Sequence, residues 1–462
     1  MTAATVKDGD TAFLGHPKAL GFLAFTEAWE RFSYYGMNTL LALYMVNQLL
    51  LPGHVENVVG LPVLQGILEK GGPLSPQALA VAIAGLYGAC VYLTPLLGGL
   101  LADWLLGRTP TIILGALLMA AGHFLMAFEQ PFLLALLCLM LGSGCFKGNI
   151  ASQVGSLYPE GDTRRADAFQ IFYLAINAGV IVSPLVVARL AHGVGWHWGF
   201  GAAGVGMLIS IVIYLSGRRL FPSDPPLRKR GEMKVDRPAM VRSDWNRVLL
   251  LALMVPLLAA SVLGNQQIFV TYLVWAEKSA DLQLFGMKLL AEDLVSADAF
   301  VSVGCLAAMV VFWRLWAKRF KEPDEFGKIV IGCLFGAAGV ACLGLGAMLT
   351  PEGGKVSVWW LLAFHLLNDI GFANVLPVSL ALFARAAPKA IAGSVIGIYY
   401  LFLFAGNATA GWLGTKLEGM GSVSFWLMHG VIVAAAGLVI LAISPIFRRV
   451  LNAEPTPRPA TA

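Results

Sequence analysis

The sequence predicts an all-α membrane protein, with about twelve transmembrane helices arranged as two six-helix bundles. Three observations predict it. Hydrophobic residues make up 58% of the 462 residues and charged residues only 13%, with a mean hydropathy of +0.74, a balance that excludes a soluble domain. Apolar runs long enough to span a bilayer as helices recur near 18–49, 77–103, 108–128, 131–155, 165–193 and 196–217, then near 246–277, 292–316, 327–349, 356–384, 389–417 and 422–447. Between the sixth and seventh lies SGRRLFPSDPPLRKRGEMKVDRPAMVRSD, too rich in Arg, Lys and Pro to cross. The expected division is an N-terminal bundle over 1–217, a basic linker over 218–245, a C-terminal bundle over 246–450 and a disordered Pro-rich tail over 451–462.

Basic residues set the expected orientation. With the N-terminus in the cytoplasm, the inside segments hold Lys7, Lys18, Arg108, Arg164, Arg165, the linker cluster, Arg314, Lys318, Arg319, Lys321, Lys328, Arg385, Lys389 and Arg448 onward. The outside segments hold only Lys70, Lys278, Lys288, Lys355, Lys416 and Arg189. Both termini are therefore expected in the cytoplasm, which fixes an even span count. The net charge of +5 is explained by this asymmetry and needs no nucleic acid; contact with anionic lipid is the one other partner it suggests. MTAATVKDGDTAFLGHPK carries no short apolar h-region with a cleavage site, so the first span is expected to act as the targeting signal. All six cysteines lie in apolar runs, which argues against a disulfide framework.

The first span, GFLAFTEAWERFSYYGMNTLLALYMVNQLL, carries Glu27, Glu30 and Arg31 at membrane depth. Each would cost about 2.5–3.5 kcal/mol facing lipid, so they must face protein or water. Glu27, Arg31, Tyr34 and Asn38 follow helical spacing with Glu30 beside them, while Phe25, Trp29, Phe32, Gly36 and Leu40 line the opposite side. A polar stripe at this depth reads as a proton or substrate path, or as an ion-paired structural helix.

After the second span comes GGLLADWLLGR, whose glycines, Gly99 among them, allow close helix approach. Asp103 can cap a helix end or pair across the bundles, and Arg108 closes the segment. This loop resembles that between the second and third spans of the major facilitator superfamily. Its counterpart in the second half, LWAKRFKEPDEFGK, is degraded. In the fourth span, LGSGCFKGNIASQVGSLY sets Lys147 inside an apolar run, where an ammonium calls for an acidic partner; Glu27 and Glu30 are the candidates. Two carboxylates and two cations can exchange partners as a proton arrives, or can form a static four-charge staple. In the fifth span, FQIFYLAINAGVIVSPL offers the neutral amide of Asn177 at membrane depth, with Gly179 and Pro184 permitting close packing and a bend.

Together these segments resemble the proton-dependent oligopeptide transporter family of the major facilitator superfamily. Its ExxERFxYYG pattern stands complete as Glu27, Glu30, Arg31, Phe32, Tyr34, Tyr35 and Gly36; VYLTPLLGGLLAD, with Tyr92, FKGNIASQVGSLY and FYLAINAG are similarly close. The resemblance implies a major facilitator fold and a proton-coupling cluster of Glu27, Glu30, Arg31 and Lys147. It also implies that Arg31 and Lys147 receive a peptide carboxylate, with Tyr34, Tyr35, Tyr92 and Asn177 contacting the peptide backbone. The C-terminal half matches more loosely. Gln267 stands at the family's seventh-span glutamine, and Pro323, Lys328 and Gly332 keep a family spacing. In the tenth span GFANVLP places Phe372 where the family has the glutamate that receives the peptide amine. Asp369, one turn earlier, or Asp298, where the family commonly has asparagine, can replace it. Phe372 with Trp359, Trp360 and Phe364 is expected to make that half of the pocket apolar. Asn38 replaces an arginine that in bacterial members supplies an extracellular gate pair, and the linker is too short for the extra helical pair of many relatives.

The expected function is proton-coupled uptake of di- or tripeptides or peptide-like carboxylates by alternating access, in a bacterial inner membrane. No cofactor beyond the proton gradient and no metal are expected, and a monomer is. Proton-driven export of an amphipathic compound, or a non-transporting receptor using the same pocket, are the alternatives. No nucleophile elbow, HExxH or Walker pattern marks an enzyme. His123, His365 and His429, in or near apolar spans, have no metal-ligand spacing, and read as hydrogen-bonded structural groups or proton relays.

Overall fold

Each span becomes a helix because its backbone must satisfy its own hydrogen bonds in lipid. The computed structural model describes residues 11–159, 162–224, 227 and 240–451; most of the linker and the tail after 451 lie outside them. The long helices are α1 (Lys18–Tyr44), α2 (Pro76–Leu101), α3 (Arg108–Leu125), α4 (Phe132–Ser156), α5 (Arg164–Gly193), α6 (Trp196–Gly217), α7 (Arg242–Ser261), α8 (Asp293–Trp316), α9 (Glu325–Leu349), α10 (Val358–Ala386), α11 (Ala392–Gly414) and α12 (Ser422–Leu451). Among the described residues, eleven of these are long and apolar enough to cross a membrane. The twelfth is α1, whose Glu27, Glu30 and Arg31 lower its apolarity and whose length still suffices. The helices therefore coincide with the expected runs.

Local chemistry marks their ends. Ser75 caps α2 by accepting from the Ala78 amide, with Pro76 at the first helical position. Gly107 at φ +86° breaks the chain between a π-helical turn, Ala102–Leu106, and α3. The Asp224 carboxylate accepts from the Thr109 amide and hydroxyl, both at 2.9 Å, placing an anion at the α3 N-terminus. Asp324 caps α9 and is held by Arg448 at 2.6 Å.

The seventh span is continuous in sequence but broken in form. After α7 it runs through a short helix, Leu263–Gln267, a π-helical turn, Ile268–Tyr272, and a last helix, Leu273–Ser279. π-turns inside helices are rare and concentrate at functional sites. Beyond it, β1 (Gln283–Leu284) and β2 (Met287–Lys288) form a hairpin turned by Phe285 and Gly286, both at positive φ.

By internal contacts the chain forms two compact units. One is Met1–Arg230 with Ile268–Phe300; the other is Gly231–Gln267 with Val301–Ala462. In the first, α1 packs on α5 and α6, α4 on α2 and α3, and α3 on α6. In the second, α9 packs on α10 and α12, and α7 on α11 and α12. All six cysteines are free thiols.

Candidate functional site

The charged stripe of α1 is buried in the first unit. Glu27 and Glu30 are 1% and 0% exposed, a burial that ionised groups tolerate only with partners. Arg31 supplies it to both. Its Nε and Nη2 donate to Glu27 Oε1 at 2.8 and 2.5 Å, and its Nε stands 3.2 Å from Glu30 Oε2. The i, i+4 spacing of Glu27 and Arg31 makes the first contact local to one helix face. Glu27 Oε2 and both Glu30 oxygens carry no hydrogen bond among the described residues. Two buried carboxylates thus share one guanidinium.

Lys147 differs from the sequence expectation. Its ammonium does not sit on Glu27 or Glu30 but over the ring of Tyr34, 3.6 Å from the centroid. An aromatic face attracts a cation electrostatically and asks for no counter-charge, so the lysine needs no acid in this arrangement. α4 is held beside α2 by Thr94 donating to the Met140 carbonyl at 2.9 Å and by Asn149 donating to the Gly98 carbonyl at 3.3 Å. Gly98, rather than Gly99, makes the close approach: a Cβ on Gly98 would lie 2.1 Å from the Gly144 carbonyl oxygen, while Gly99 faces open space. Asp103 lies half-buried on the π-turn, and Arg108 lines a recess with Ser152, Ser156 and Arg165.

α5 comes against α1 through Gly179, whose absent side chain leaves room for the Ala28 carbonyl; a Cβ there would lie 2.3 Å from that oxygen and 3.0 Å from Arg31 Cβ. Two residues before this contact Asn177 is half-buried and donates to the Tyr173 carbonyl at 2.8 Å. Tyr34 and Tyr35 meet edge to face at 5.2 Å, and Tyr35 meets Phe269, on the π-turn of the seventh span, at 5.6 Å. Tyr92 lies on α2, 36% exposed and within Coulomb range of Tyr34 and Tyr35. Sequence reasoning missed Tyr87. It is buried, within Coulomb range of Glu30 and Tyr34, and its hydroxyl has no hydrogen-bond partner among the described residues. A phenol five residues before Tyr92 in a run of small apolar residues was the available signal.

The first unit also contains a set of polar pairs that the sequence did not announce. Arg189 grips Asp293 through both guanidinium Nη atoms, at 2.7 and 3.2 Å, and His192 Nε2 meets Glu292 at 2.8 Å. Asn47 donates to Glu277 at 2.9 and 3.0 Å, and Lys278 to Gln77 at 2.5 Å. All four fasten the Glu277–Asp293 stretch to α2, α5 or the π-helical turn Met45–Leu49 that follows α1. Asp298 is 9% exposed on α8 and within Coulomb range of Tyr272.

In the second unit Gln267 is fully buried. Its amide nitrogen donates to the Ala410 carbonyl at 3.1 Å and to His429 Nε2 at 2.8 Å, while His429 Nδ1 donates to the Phe425 carbonyl at 2.8 Å. That network uses the glutamine amide nitrogen and both imidazole nitrogens, tying the seventh span to α11 and α12, while Gln267 Oε1 carries no hydrogen bond among the described residues. Asp369 is 1% exposed on α10, and Phe372 is half-buried one turn on. The rings expected to line an apolar half-pocket with Phe372 differ in burial. Trp359 is exposed, Trp360 packs on Gly346 and Phe364 is fully buried, so the rings are strung over roughly 20 Å of helix. Among the described residues no group of three or more His, Cys, Asp or Glu can hold a metal ion.

Comparison with known proteins shows what the chain is similar to. The family model PTR2, described as the POT family, matches residues 109–248. The peptide transporter YePEPT of Yersinia enterocolitica subsp. palearctica serotype O:3 (strain YE-P4) is 30% identical, over 98% of this chain and 98% of the relative. The di-/tripeptide transporter of Lactococcus lactis subsp. cremoris is 27% identical, over 95% and 97%. The crystal structure of the peptide transporter POT in complex with sulfate is similar with a TM-score of 0.82 at 26% identity, over 96% of this chain and 98% of that one. A mutant of that transporter in complex with alafosfalin gives a TM-score of 0.83 at 26% identity, over the same shares.

Proposed function

Since the chain belongs to the POT family, we propose that it is a proton-coupled symporter that takes up di- and tripeptides or peptide-like carboxylates by alternating access. The relatives named as peptide and di-/tripeptide transporters support the substrate class. The observation that carries the coupling is in α1: two buried carboxylates share one guanidinium while a second cation, Lys147, stands apart from them.

A proton arriving from the outer side is taken by the Glu27–Glu30 pair, which titrates as a set. Protonation loosens the hold on Arg31, and Arg31 with Lys147 then receives the substrate carboxylate, a charge-assisted contact that a planar guanidinium can make through two bonds. Tyr34, Tyr35, Tyr92 and Asn177 contact the substrate backbone. Asp298 and Asp369 are the acids available for a free amine, since Phe372 occupies the place of the usual anchor. Gln267, whose Oε1 carries no hydrogen bond among the described residues, is a further substrate contact. Proton and substrate together favour the conformation that opens inward, where deprotonation returns Arg31 to both carboxylates and releases the cargo. In this reading residues 1–217 and 246–450 are six-helix halves joined by the basic linker, both termini are cytoplasmic, and a monomer works in the inner membrane with no cofactor but the gradient. Asp103 and Arg108 belong to the gating loop after α2.

The test is uptake into liposomes, acid outside, of labelled dialanine, a tripeptide, an N-acylated dipeptide and a small apolar carboxylate. Uptake of at least one, collapsed by a protonophore, is expected. Binding without flux, or efflux alone, would overturn the proposal in favour of a receptor or an exporter.

A further inference from the structure

The ring of Tyr34 is 6% exposed, with one face covered by the Lys147 ammonium and its edge set against Tyr35. We propose that Tyr34 is a positioning residue for the coupling cluster: its ring holds Lys147 out of contact with the carboxylates, so that proton uptake by Glu27 and Glu30 is opposed in direct contact by Arg31 alone and by Lys147 only at longer range. The inference rests on the symport reading and adds to it the place where the second cation waits.

Three observations carry it. Arg31 contacts both carboxylates, whereas Lys147 contacts neither within ion-pair distance and sits 3.6 Å from the ring centroid. Three of the four carboxylate oxygens carry no hydrogen bond among the described residues, so acceptor positions remain that a second cation would otherwise occupy. The ring is fixed from behind, because Tyr34 abuts Tyr35, which abuts Phe269 on the π-turn of the seventh span. An aromatic face attracts a cation electrostatically without neutralising its charge, which biases its position and leaves it free to pass to an arriving carboxylate. The charged and titratable groups facing this pair are Glu27, Glu30, Arg31 and Tyr35 of α1, Tyr87 and Tyr92 of α2, and, through Tyr35, Tyr173 of α5.

The consequence for pH has a definite sign. Without the ring, Lys147 is free to pair with a carboxylate; an added cation at 4 Å favours the charged carboxylate, so proton loading needs more acid. In Tyr34→Leu the midpoint of proton-driven uptake is expected to move to lower pH by about one unit or more. Tyr34→Phe, which keeps the ring and drops the hydroxyl that contacts substrate, is expected to take up less substrate but with its pH midpoint at the parent value. A midpoint unmoved in Tyr34→Leu, or moved equally in Tyr34→Phe, would overturn the proposal.

A transport-independent measurement separates this from the symport reading. Lysines of the purified full-length protein are reductively methylated with 13C, which keeps the charge, and the Lys147 resonance is identified by its loss in Lys147→Arg. A methyl over a ring face is displaced upfield by the ring current. The expected result is an upfield Lys147 signal in the parent and in Tyr34→Phe that moves to the common lysine position in Tyr34→Leu. A parent signal already at the common position overturns the proposal, whether or not Tyr34→Leu folds. An upfield signal in a protein that transports none of the probes would leave the Tyr34 contact standing and sink the symport reading.

Discussion

Glu27, Glu30, Arg31 and Lys147 show how a residue's role divides between what spacing dictates and what only packing decides. Glu27 and Arg31, four apart on one helix, had to meet, and they do. The partner of Lys147 was open, because a cation in an apolar run asks for stabilisation and both a carboxylate and an aromatic face provide it. The structure chooses Tyr34, a residue of the same α1 stripe. Single substitutions test these roles. Glu27→Gln, Glu30→Gln and Lys147→Ala are each expected to abolish proton-driven uptake, by about a hundredfold or more if each removes roughly 3 kcal/mol of coupling, while exchange of labelled for unlabelled substrate at equal pH survives in the glutamine variants. Normal driven uptake in all three would contradict the cluster as the coupling device. Gln267 and Tyr87 mark the limit of legibility at this scale: nothing in the sequence told that Gln267 donates to Ala410 and His429, and no pattern pointed to Tyr87.

Elements were the most legible level, since a run of about twenty apolar residues has one stable form in lipid and the expected runs match α1 to α12 closely. The form of the seventh span was not legible. Its composition is that of an ordinary helix, and its division at Ser261, with a π-turn over Ile268–Tyr272, depends on what its carbonyls and side chains meet. Close helix approach was foreseeable in kind and less so in position: Gly98 and Gly179 are the contacts, and Gly99 is not. Gly179→Ala puts a methyl 2.3 Å from the Ala28 carbonyl oxygen and is expected to cost about 1–3 kcal/mol, read as a lowered melting temperature in detergent. Gly201→Ala in α6, with nothing within 4 Å, is the control and is expected to leave it unchanged or slightly raised. Equal melting temperatures for the two variants would contradict the role given to Gly179.

At the scale of the whole molecule, the internal contacts group Ile268–Phe300 with the N-terminal residues, although a sequence reading assigns that stretch to the second half. Arg189–Asp293, His192–Glu292, Asn47–Glu277 and Gln77–Lys278 are polar links within that group, separated by 100 to 230 positions, and nothing local in the sequence announces such distant partners. Partly exposed ion pairs contribute about 0–1 kcal/mol each, so Arg189→Ala with His192→Ala is expected to speed amide hydrogen exchange across 280–292 several-fold. Unchanged exchange there would mean that apolar packing alone fastens the stretch. The central claim is that substrate and proton cross together, and the most direct measurement is proton influx into liposomes holding a trapped pH dye. At equal pH on both sides, with an inside-negative potential, adding dialanine or an amine-blocked dipeptide is expected to acidify the lumen in the parent and not when Glu27 and Glu30 are both replaced by glutamine. Substrate accumulation with no acidification, or acidification that persists in the double variant, would contradict it.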